Sequence, residues 1–266
     1  MKFVLDFRTS DRGGAVVPGR LSSPTANGHA ALDQLRAAGR IAFLVHGFNV
    51  TRPHGLERLG RFADQLAHCL DWALVSVVWP GDAWIPGINY VVEGRDADDT
   101  AAEFAKFLRD GLPARPTLSF ATHSLGARVA LETLRRLGDE FEVGQLCLMA
   151  SAVDDDCLSD IYSDVTSRAR RVAVLSSVED NVLRSAYPLG DLFQAFLFPT
   201  TDKPGVALGY QGPRPVAGLA HLAIPQVRAA GHGDYLPAFG APLNAEQASA
   251  AGFADDVLIG ASPVYR

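Results

Sequence analysis

Residues 117–126 read TLSFATHSLG, and this stretch decides the fold. It begins as an apolar, β-forming run and leads through Ser124 into Leu125–Leu137, whose apolar residues recur at helical spacing. A serine at a sharp turn from strand to helix has its hydroxyl lifted above the sheet, and the helix N-terminus beside it favours a developing negative charge. The pattern therefore predicts that Ser124 is a nucleophile. The alternative is an ordinary serine that caps the following helix.

Apolar runs and helical patterns alternate on both sides of this stretch. The predicted strands are Lys2–Phe7, Ile41–Val45, Ala73–Trp79, Thr117–Ala121, Gln145–Ala150, Val172–Ser176 and Ala217–Ile224. The predicted helices are Leu32–Ala38, Leu56–Leu70, Asp98–Leu112, Leu125–Leu137 and Asn244–Leu258, whereas the Gly- and Pro-rich segment Ser10–His29 is predicted to be mostly loop. Continuous apolar runs are typical of strands buried on both faces, and helices between them indicate right-handed crossovers. The sequence thus predicts an α/β fold with a mainly parallel sheet and helices on both faces.

Composition sets the size of the core and the class of partner. The chain has 266 residues, 48% of them hydrophobic, which is enough for a sizeable core and allows one large or two small domains. We predict a single domain over residues 1–266, with a small cap or insertion around residues 182–215, because the strand and helix pattern weakens there and Val182–Phe198 could form a helix or a cap over the site. Lys and Arg number 24 against 30 Asp and Glu, and this formal charge of −6 argues against nucleic acid or an anionic membrane as partner. No apolar window is long enough for a membrane span or a secretory signal, so we expect a cytoplasmic protein.

The residues that directly follow the strands are the first candidates for a site. In open α/β sheets, ligands bind at the carboxyl ends of the strands. The segment HGFN at positions 46–49 follows the predicted strand Ile41–Val45. Acyl-transfer enzymes hold an oxyanion with two backbone N–H groups, one from the residue after the nucleophile and one from a loop after an early strand. We therefore predict Leu125 and Phe48 as the two donors, the alternative for 46–49 being a simple glycine turn.

Of the seven histidines, His232 is the predicted general base. It lies late in the chain in Ala-Gly-His-Gly-Asp-Tyr, where flanking glycines let a loop fold back over the sheet. His46 and His123 belong to motifs in which the side chain usually has a structural role, and His221 lies inside an apolar run that is typical of a buried histidine. The other three, which lie in a leader loop or along a surface-facing helix, are His29, His54 and His68.

Asp180, in Ser-Val-Glu-Asp-Asn after a predicted strand, is the predicted acid that orients His232. Glu179 and the cluster Asp154–Asp156 are the alternatives, and each of these carboxylates could instead cap the next helix. Three adjacent side chains point in different directions and the three cysteines lack CxxC spacing, so no metal site and no disulfide framework are expected. Ser124, the acid and the histidine follow one another in the order nucleophile, acid, base.

Four segments together resemble the α/β-hydrolase superfamily. They are LVHGFN at 44–49, FATHSLGARVAL at 120–131, LSSVEDNVL at 175–183 and GHGDYL at 231–236. The resemblance runs from about Arg40 to Leu236 and is closest to a bacterial esterase/lipase-like branch with HGFN and THSLG motifs. It implies a mostly parallel sheet of about eight strands. Thr122 departs from the superfamily, which has glycine at that position.

The function that this resemblance implies is a serine hydrolase that cleaves a carboxylic ester through an acyl-enzyme and needs no cofactor. His232 would take the proton of Ser124, and Asp180 would hold the imidazole tautomer. The N–H groups of Leu125 and Phe48 would stabilise the oxyanion. Two alternatives stay open: a thioester or amide hydrolase with the same residues, and a non-catalytic binding or scaffold protein with the same fold.

Apolar and aromatic residues near the predicted site favour a neutral or weakly polar acyl ester of modest size as the partner. They are Phe48, Trp79, Trp84, Ile85 and the stretch Tyr187–Phe198. The alternative is that these residues belong to the core, and for Trp79 we prefer that interpretation.

Overall fold

The computed structural model of the chain describes residues 1–69, 71–82, 89–186, 206–215, 225–227 and 230–265. Several predicted features lie outside these residues. They are the strand Ala217–Ile224, the greater part of the cap at 182–215, Trp84, Ile85, Tyr187–Phe198 and His221.

The described residues form an eight-stranded sheet with the strand order β3-β2-β1-β5-β4-β6-β7-β8. The strands are β1 Lys2–Arg8, β2 Val16–Ser23, β3 Ala26–Asn27, β4 Ile41–Val45, β5 Ala73–Val78, β6 Leu118–His123, β7 Val143–Met149 and β8 Arg171–Leu175. The six strands from β1 to β8 in this order pair in parallel, and β2 and β3 pair antiparallel at the β1 edge. This topology confirms the predicted, mainly parallel α/β fold.

The central strands are apolar because both of their faces are covered. Every residue of β4, β5 and β6 is buried. The ring of Phe43 on β4 lies 5.2 Å from that of Phe120 on β6 and 5.0 Å from that of Phe104, which belongs to a covering helix. Aromatic pairs at such distances add packing energy beyond their buried area. β4 and β6, the strands that lead into His46 and Ser124, therefore lie in the buried middle of the sheet.

Two groups of helices cover the two faces of the sheet. The helices are α1 Gly28–Arg36, α2 Arg52–Gln65, α3 Asn89–Gly111, α4 Gly126–Leu137, α5 Ser163–Arg168, α6 Asn181–Ala186, α7 Leu208–Gln211 and α8 Ala245–Leu258. α3 packs against α4, whereas α2 packs against α8. The helix predicted from Asn244 onward begins with a capping box, in which the Asn244 side chain accepts from the Gln247 N–H and the Gln247 side chain accepts from the Asn244 N–H.

The prediction that Ser10–His29 is mostly loop was wrong. Val16–Ser23 forms β2 and pairs antiparallel with β1, and α1 already begins at Gly28. Gly19 is part of the reason: a Cβ at this position would lie 2.8 Å from the side chains of both Leu5 and Phe7. The glycine that indicated a loop is therefore needed for close packing of the hairpin against β1.

Two helices differ from their predicted bounds. α3 begins at Asn89 and not at Asp98. α2 begins at Arg52 and not at Leu56, with Pro53 in its first turn, where a proline is tolerated, and it ends at Gln65 and not at Leu70. Throughout the described parts of the chain, each helix is too short or too polar to cross a bilayer.

Candidate active site

The predicted site residues meet at the carboxyl edge of the sheet. His46 follows β4, Ser124 follows β6 and Asp180 lies shortly after β8. Because these strands run parallel, their carboxyl ends open on one edge. The loop that carries His232 reaches the same edge, since its imidazole is hydrogen-bonded to two of these residues.

Ser124 occupies the sharp turn between β6 and α4. Its φ of 53° lies in the left-handed region, which a residue with a side chain rarely adopts. The Ser124 N–H donates to the Met149 carbonyl on β7 at 3.0 Å, which ties the turn to the neighbouring strand. Leu125 is the N-cap residue of α4, so its N–H belongs to the helix end at which amides lack partners within the helix. The turn thus presents a hydroxyl beside backbone donors.

Two glycines allow this turn to pack closely. A Cβ on Gly126 would lie 2.5 Å from the His46 carbonyl oxygen, and a Cβ on Gly47 would lie 2.7 Å from the Ser124 Cβ. Real Cβ atoms do not approach so closely, so only glycine fits at either position. Thr122, where the superfamily has glycine, is buried in β6 and its hydroxyl donates to the Cys147 carbonyl at 3.5 Å.

We expect Gly126→Ala to lower the free energy of unfolding by about 1–3 kcal/mol, the usual cost of overpacking. The added methyl group would push on backbone atoms of β4, which cannot move away as a flexible side chain could. Gly252→Ala is the matched control, because Gly252 lies inside α8 and nothing lies within 4 Å of its added Cβ. Helix propensity predicts that this control gains up to ~1 kcal/mol. Urea unfolding of both variants makes the comparison, and equal stabilities would contradict the close-packing argument.

A continuous hydrogen-bonded chain joins Ser124, His232 and Asp180. His232 Nε2 lies 3.0 Å from Ser124 Oγ, and His232 Nδ1 lies 2.8 Å from Asp180 Oδ2. A carboxylate can only accept, so Nδ1 carries the imidazole proton and Nε2 is left to accept from the serine hydroxyl. Asp180 and Ser124 are buried, whereas the His232 side chain retains 19% of its exposure. Of the three hydrogen-bonded side chains, the imidazole of His232 is therefore the one that faces solvent.

The Asp180 carboxylate serves two contacts at once. Its Oδ2 accepts from His232, and its Oδ1 accepts from the Leu183 N–H in the first turn of α6 at 3.0 Å. Asp180 therefore makes the helix-capping contact of the alternative interpretation and the contact to His232 at the same time. In the other candidate group, Asp155 and Asp156 instead hold the guanidinium of Arg214, each at 2.9 Å.

His46 fixes the peptide that carries the Phe48 N–H. His46 Nδ1 donates to the Gly47 carbonyl at 2.8 Å, and His46 Nε2 accepts from the Trp79 N–H at 3.2 Å. The Gly47 carbonyl and the Phe48 N–H belong to one planar peptide unit, so a contact to one orients the other. Trp79 is fully buried and donates its indole N–H to the His46 carbonyl at 2.9 Å. It is therefore a core residue, the interpretation preferred from the sequence. Phe48 itself is half-buried.

Burial of His46 predicts loss of stability in acid. Burial lowers the pKa of His46 from 6.5 to about 3. The unfolded chain therefore binds a proton at this histidine as the pH falls through about 6.5, whereas the folded protein does not until about 3. We expect the free energy of unfolding to fall across this window by up to about 1.4 kcal/mol per pH unit from this one group.

Urea unfolding at several pH values between about 4 and 7 measures this loss. His46→Asn is the informative variant, because its side-chain N–H can still reach the Gly47 carbonyl but does not titrate. We expect a shallower pH dependence in the variant. Identical slopes in the two proteins would show that His46 is protonated alike in both states.

The groups that hold the His232 loop were not predicted from the sequence. Asp234 accepts from the Gly231 N–H at 2.9 Å, closing a turn around His232. Neither Gly231 nor Gly233 has a positive φ, so the turn depends on this carboxylate and not on glycine freedom. The Gly-His-Gly-Asp pattern, with an aspartate three residues after the first glycine, is the signal that could have identified it.

Helix α2 holds the continuation of the same loop. The Arg58 guanidinium donates to the Pro237 carbonyl at 2.9 Å, and that of Arg61 donates to the Ala238 carbonyl at 2.6 Å. Glu57 accepts from the Gly240 N–H at 2.8 Å. No local sequence signal links these groups, since about 180 residues separate them along the chain.

The topology, with the Ser124 turn at the centre of a mainly parallel sheet, defines an α/β-hydrolase fold. The chain belongs to the family described as alpha/beta hydrolase of unknown function (DUF900), whose model matches residues 24–191. The matched region contains Ser124 and Asp180, and His232 lies beyond it. No curated protein matches the sequence.

Solved structures with similar folds share little sequence with the chain. A predicted CIB-like hydrolase from Thermoplasma acidophilum is 14% identical, with a TM-score of 0.41 over 82% of this chain and 83% of that one. The metagenomic carboxyl esterase MGS0156 is 18% identical, with a TM-score of 0.42 over 84% and 74% of the two chains. XC6422 from Xanthomonas campestris, described as a serine hydrolase without lid, is 15% identical, with a TM-score of 0.39 over 74% of each chain.

Proposed function

We propose that the protein is a serine hydrolase that cleaves a carboxylic ester through an acyl-enzyme. Ser124 is the nucleophile, His232 the general base and Asp180 the acid that orients the imidazole. Leu125 and Phe48 supply the N–H groups that stabilise the oxyanion. The whole of residues 1–266 acts as one hydrolase domain in this proposal.

One observation carries the proposal: the hydrogen-bonded chain of 3.0 Å and 2.8 Å that runs from a serine with positive φ through one imidazole to a buried carboxylate. A strained serine turn is costly and is found mostly where function requires it. An isolated helix cap would need neither the strain nor the histidine. A scaffold protein would have no use for a buried carboxylate behind that histidine, and this favours the enzyme over the non-catalytic alternative.

The steps follow from the positions of the protons. His232 Nε2 takes the proton of Ser124 while Oγ bonds to the ester carbonyl carbon, and the carbonyl oxygen becomes an oxyanion beside the backbone donors. The C–O bond to the alcohol then breaks, and the imidazolium returns its proton to the departing oxygen. Water, deprotonated by the same Nε2, then attacks the acyl carbon. The bond from that carbon to Ser124 Oγ breaks, the imidazolium returns its proton to Oγ, and the carboxylic acid leaves. Asp180 stabilises the imidazolium in both halves of the reaction.

Labelling with a fluorophosphonate tests whether Ser124 is activated, because unactivated serines react poorly with this reagent. We expect wild-type protein to form one stoichiometric adduct and Ser124→Ala to form none. Ser119→Ala is the matched control, since Ser119 is a buried serine at the other end of β6. Its labelling should equal that of the wild type. A folded wild-type protein that does not label would overturn the enzymatic proposal.

A substrate panel tests the ester class. Neutral esters of graded acyl chain length are compared with matching thioesters and amides, and with anionic and phosphorylated esters. We expect the highest kcat/KM on a neutral ester of modest size, with a large loss of that activity in Ser124→Ala. Turnover confined to anionic or phosphorylated substrates would contradict the proposed class, and faster thioester or amide turnover would reassign the leaving group.

A further inference from the structure

His123, the residue before the proposed nucleophile, contacts the main chain of the proposed base. Its Nε2 lies 2.8 Å from the carbonyl oxygen of His232, 109 residues away along the chain. The His123 side chain is buried, and its ring centroid lies 4.9 Å from that of His232. Two consecutive residues at the end of β6 thus contact His232: Ser124 contacts its imidazole, and His123 contacts its carbonyl oxygen.

The contact fixes the tautomer of His123. A carbonyl oxygen only accepts, so Nε2 must carry the proton and donate. Burial, reinforced by the nearby His232, holds the pKa of His123 well below its ordinary value, so the ring stays neutral. Its Nδ1 is then an acceptor, and no described group donates to it. The hydrogen bond that the described residues give to the His123 ring is therefore the one from Nε2 to the His232 carbonyl.

The His232 main chain needs such a contact because its neighbours offer little restraint. Gly231 and Gly233 flank it and have no side chains to pack. The Asp234 carboxylate closes the turn from the Gly231 side at 2.9 Å. The His123 Nε2–H donates to the His232 carbonyl, which lies on the C-terminal side of the His232 Cα. These two contacts hold the main chain on both sides of the His232 Cα, and the position of that main chain sets the position of the imidazole.

We propose that His123 is a positioning residue: by donating to the His232 carbonyl it holds the imidazole within hydrogen-bond distance of both Ser124 and Asp180. The inference rests on the proposed function for its kinetic consequence, although the geometric claim can be tested apart from it. Reacting groups must be held closely, and a displacement of about 1 Å can cost ~10²-fold in rate.

Three substitutions at His123 separate positioning from mere space filling. His123→Phe keeps a ring but removes the donor, and His123→Leu removes both, giving a second donor-less variant should the first fail to fold. His123→Gln places an amide N–H near the position of Nε2 and should restore the contact. Tyr162→Phe is the matched control, because it removes another buried hydrogen bond, the 3.0 Å contact to Glu132, at the far side of α4.

We expect His123→Phe or His123→Leu to lower kcat by about 10- to 100-fold with KM changed less than twofold, because the substrate still binds while the base is misplaced. His123→Gln should stay within about fivefold of wild type, and Tyr162→Phe should lower Tm without changing kcat. A donor-less variant with normal kcat, or a glutamine variant as impaired as the donor-less ones, would overturn the proposal.

Proton NMR of protein with ¹⁵N-labelled histidine tests the geometry without relying on turnover. The Nδ1–H of His232 bonded to Asp180 gives a low-field resonance, identified by its loss in His232→Ala. We expect this resonance in wild type, His123→Gln and Tyr162→Phe, and its broadening or loss in His123→Phe and His123→Leu. Its persistence in a donor-less variant would show that His123 does not position the imidazole, whatever the enzymatic activity. Absence of fluorophosphonate labelling with an intact resonance would instead refute the proposed function alone.

Discussion

Ser124→Ala is expected to lower the rate of ester hydrolysis by about 10⁴–10⁶-fold, as for nucleophiles that act as part of a unit. The substitution removes one oxygen atom, so the only bond to the acyl group can no longer form. The turn itself should persist, because alanine meets the φ of 53° at no greater steric cost than serine. The measurement is kcat/KM on the best ester of the panel, with thermal unfolding to confirm the fold.

Ser119→Ala again supplies the comparison. It should keep the wild-type rate because, among the described residues, the Ser119 hydroxyl accepts from the Gln145 N–H at 3.1 Å and contacts none of the proposed site residues. If Ser124→Ala were to retain activity within tenfold of wild type, the nucleophile would have to be sought elsewhere.

Asp180→Asn is expected to lower kcat by about 10⁴-fold, the effect of the corresponding change in comparable triads. The asparagine can keep its oxygen on the Leu183 N–H, so α6 stays capped. Its amide nitrogen then faces His232 Nδ1 and favours the tautomer with the proton on Nε2. That tautomer cannot accept the serine proton, so the loss falls on kcat.

Asp154→Asn is the matched control for this experiment. Asp154 is also buried and also follows a parallel strand, β7, but the carboxylate at His232 Nδ1 is that of Asp180. We expect a far smaller change in kcat, measured on the same ester, together with at most a modest loss of stability. A crippled Asp154→Asn beside a near-normal Asp180→Asn would move the orienting acid to the segment after β7.

The strands could be predicted because the sheet buries them on both faces. Ile41–Val45 is a continuous apolar run, and β4 has the same bounds. Its residues do not alternate between apolar and polar, and the polar residues Arg40 and His46 directly flank it, so its ends are clear. β2 was missed because its sequence, VVPGRLSS, contains proline and glycine, which are typical of loops. Its pairing with β1 forms only in the folded protein, so it cannot be predicted from neighbouring residues.

The candidate site was predictable to the extent that its residues lie in local motifs. Ser124 lies at a strand-to-helix turn and Asp180 at a strand end, and both features can be identified from neighbouring residues. The contacts that hold His232 could not be found in this way. Its carbonyl meets His123, and its loop meets Arg58 and Arg61, across more than 100 residues of chain. Only the folded topology brings these groups together.

The contacts between α2 and the His232 loop also bear on the order in which the molecule assembles. The Arg58–Pro237 contact closes a loop of 179 residues, whereas neighbouring parallel strands are joined by much shorter connections. Closing a long loop costs more chain entropy than closing a short one, and local contacts form first. During synthesis from the N-terminus, the sheet and the turn at Ser124 can form before the loop that carries His232 has been made. In the proposed mechanism, the nascent chain would then hold the serine turn without its general base until the His232 loop docks on α2.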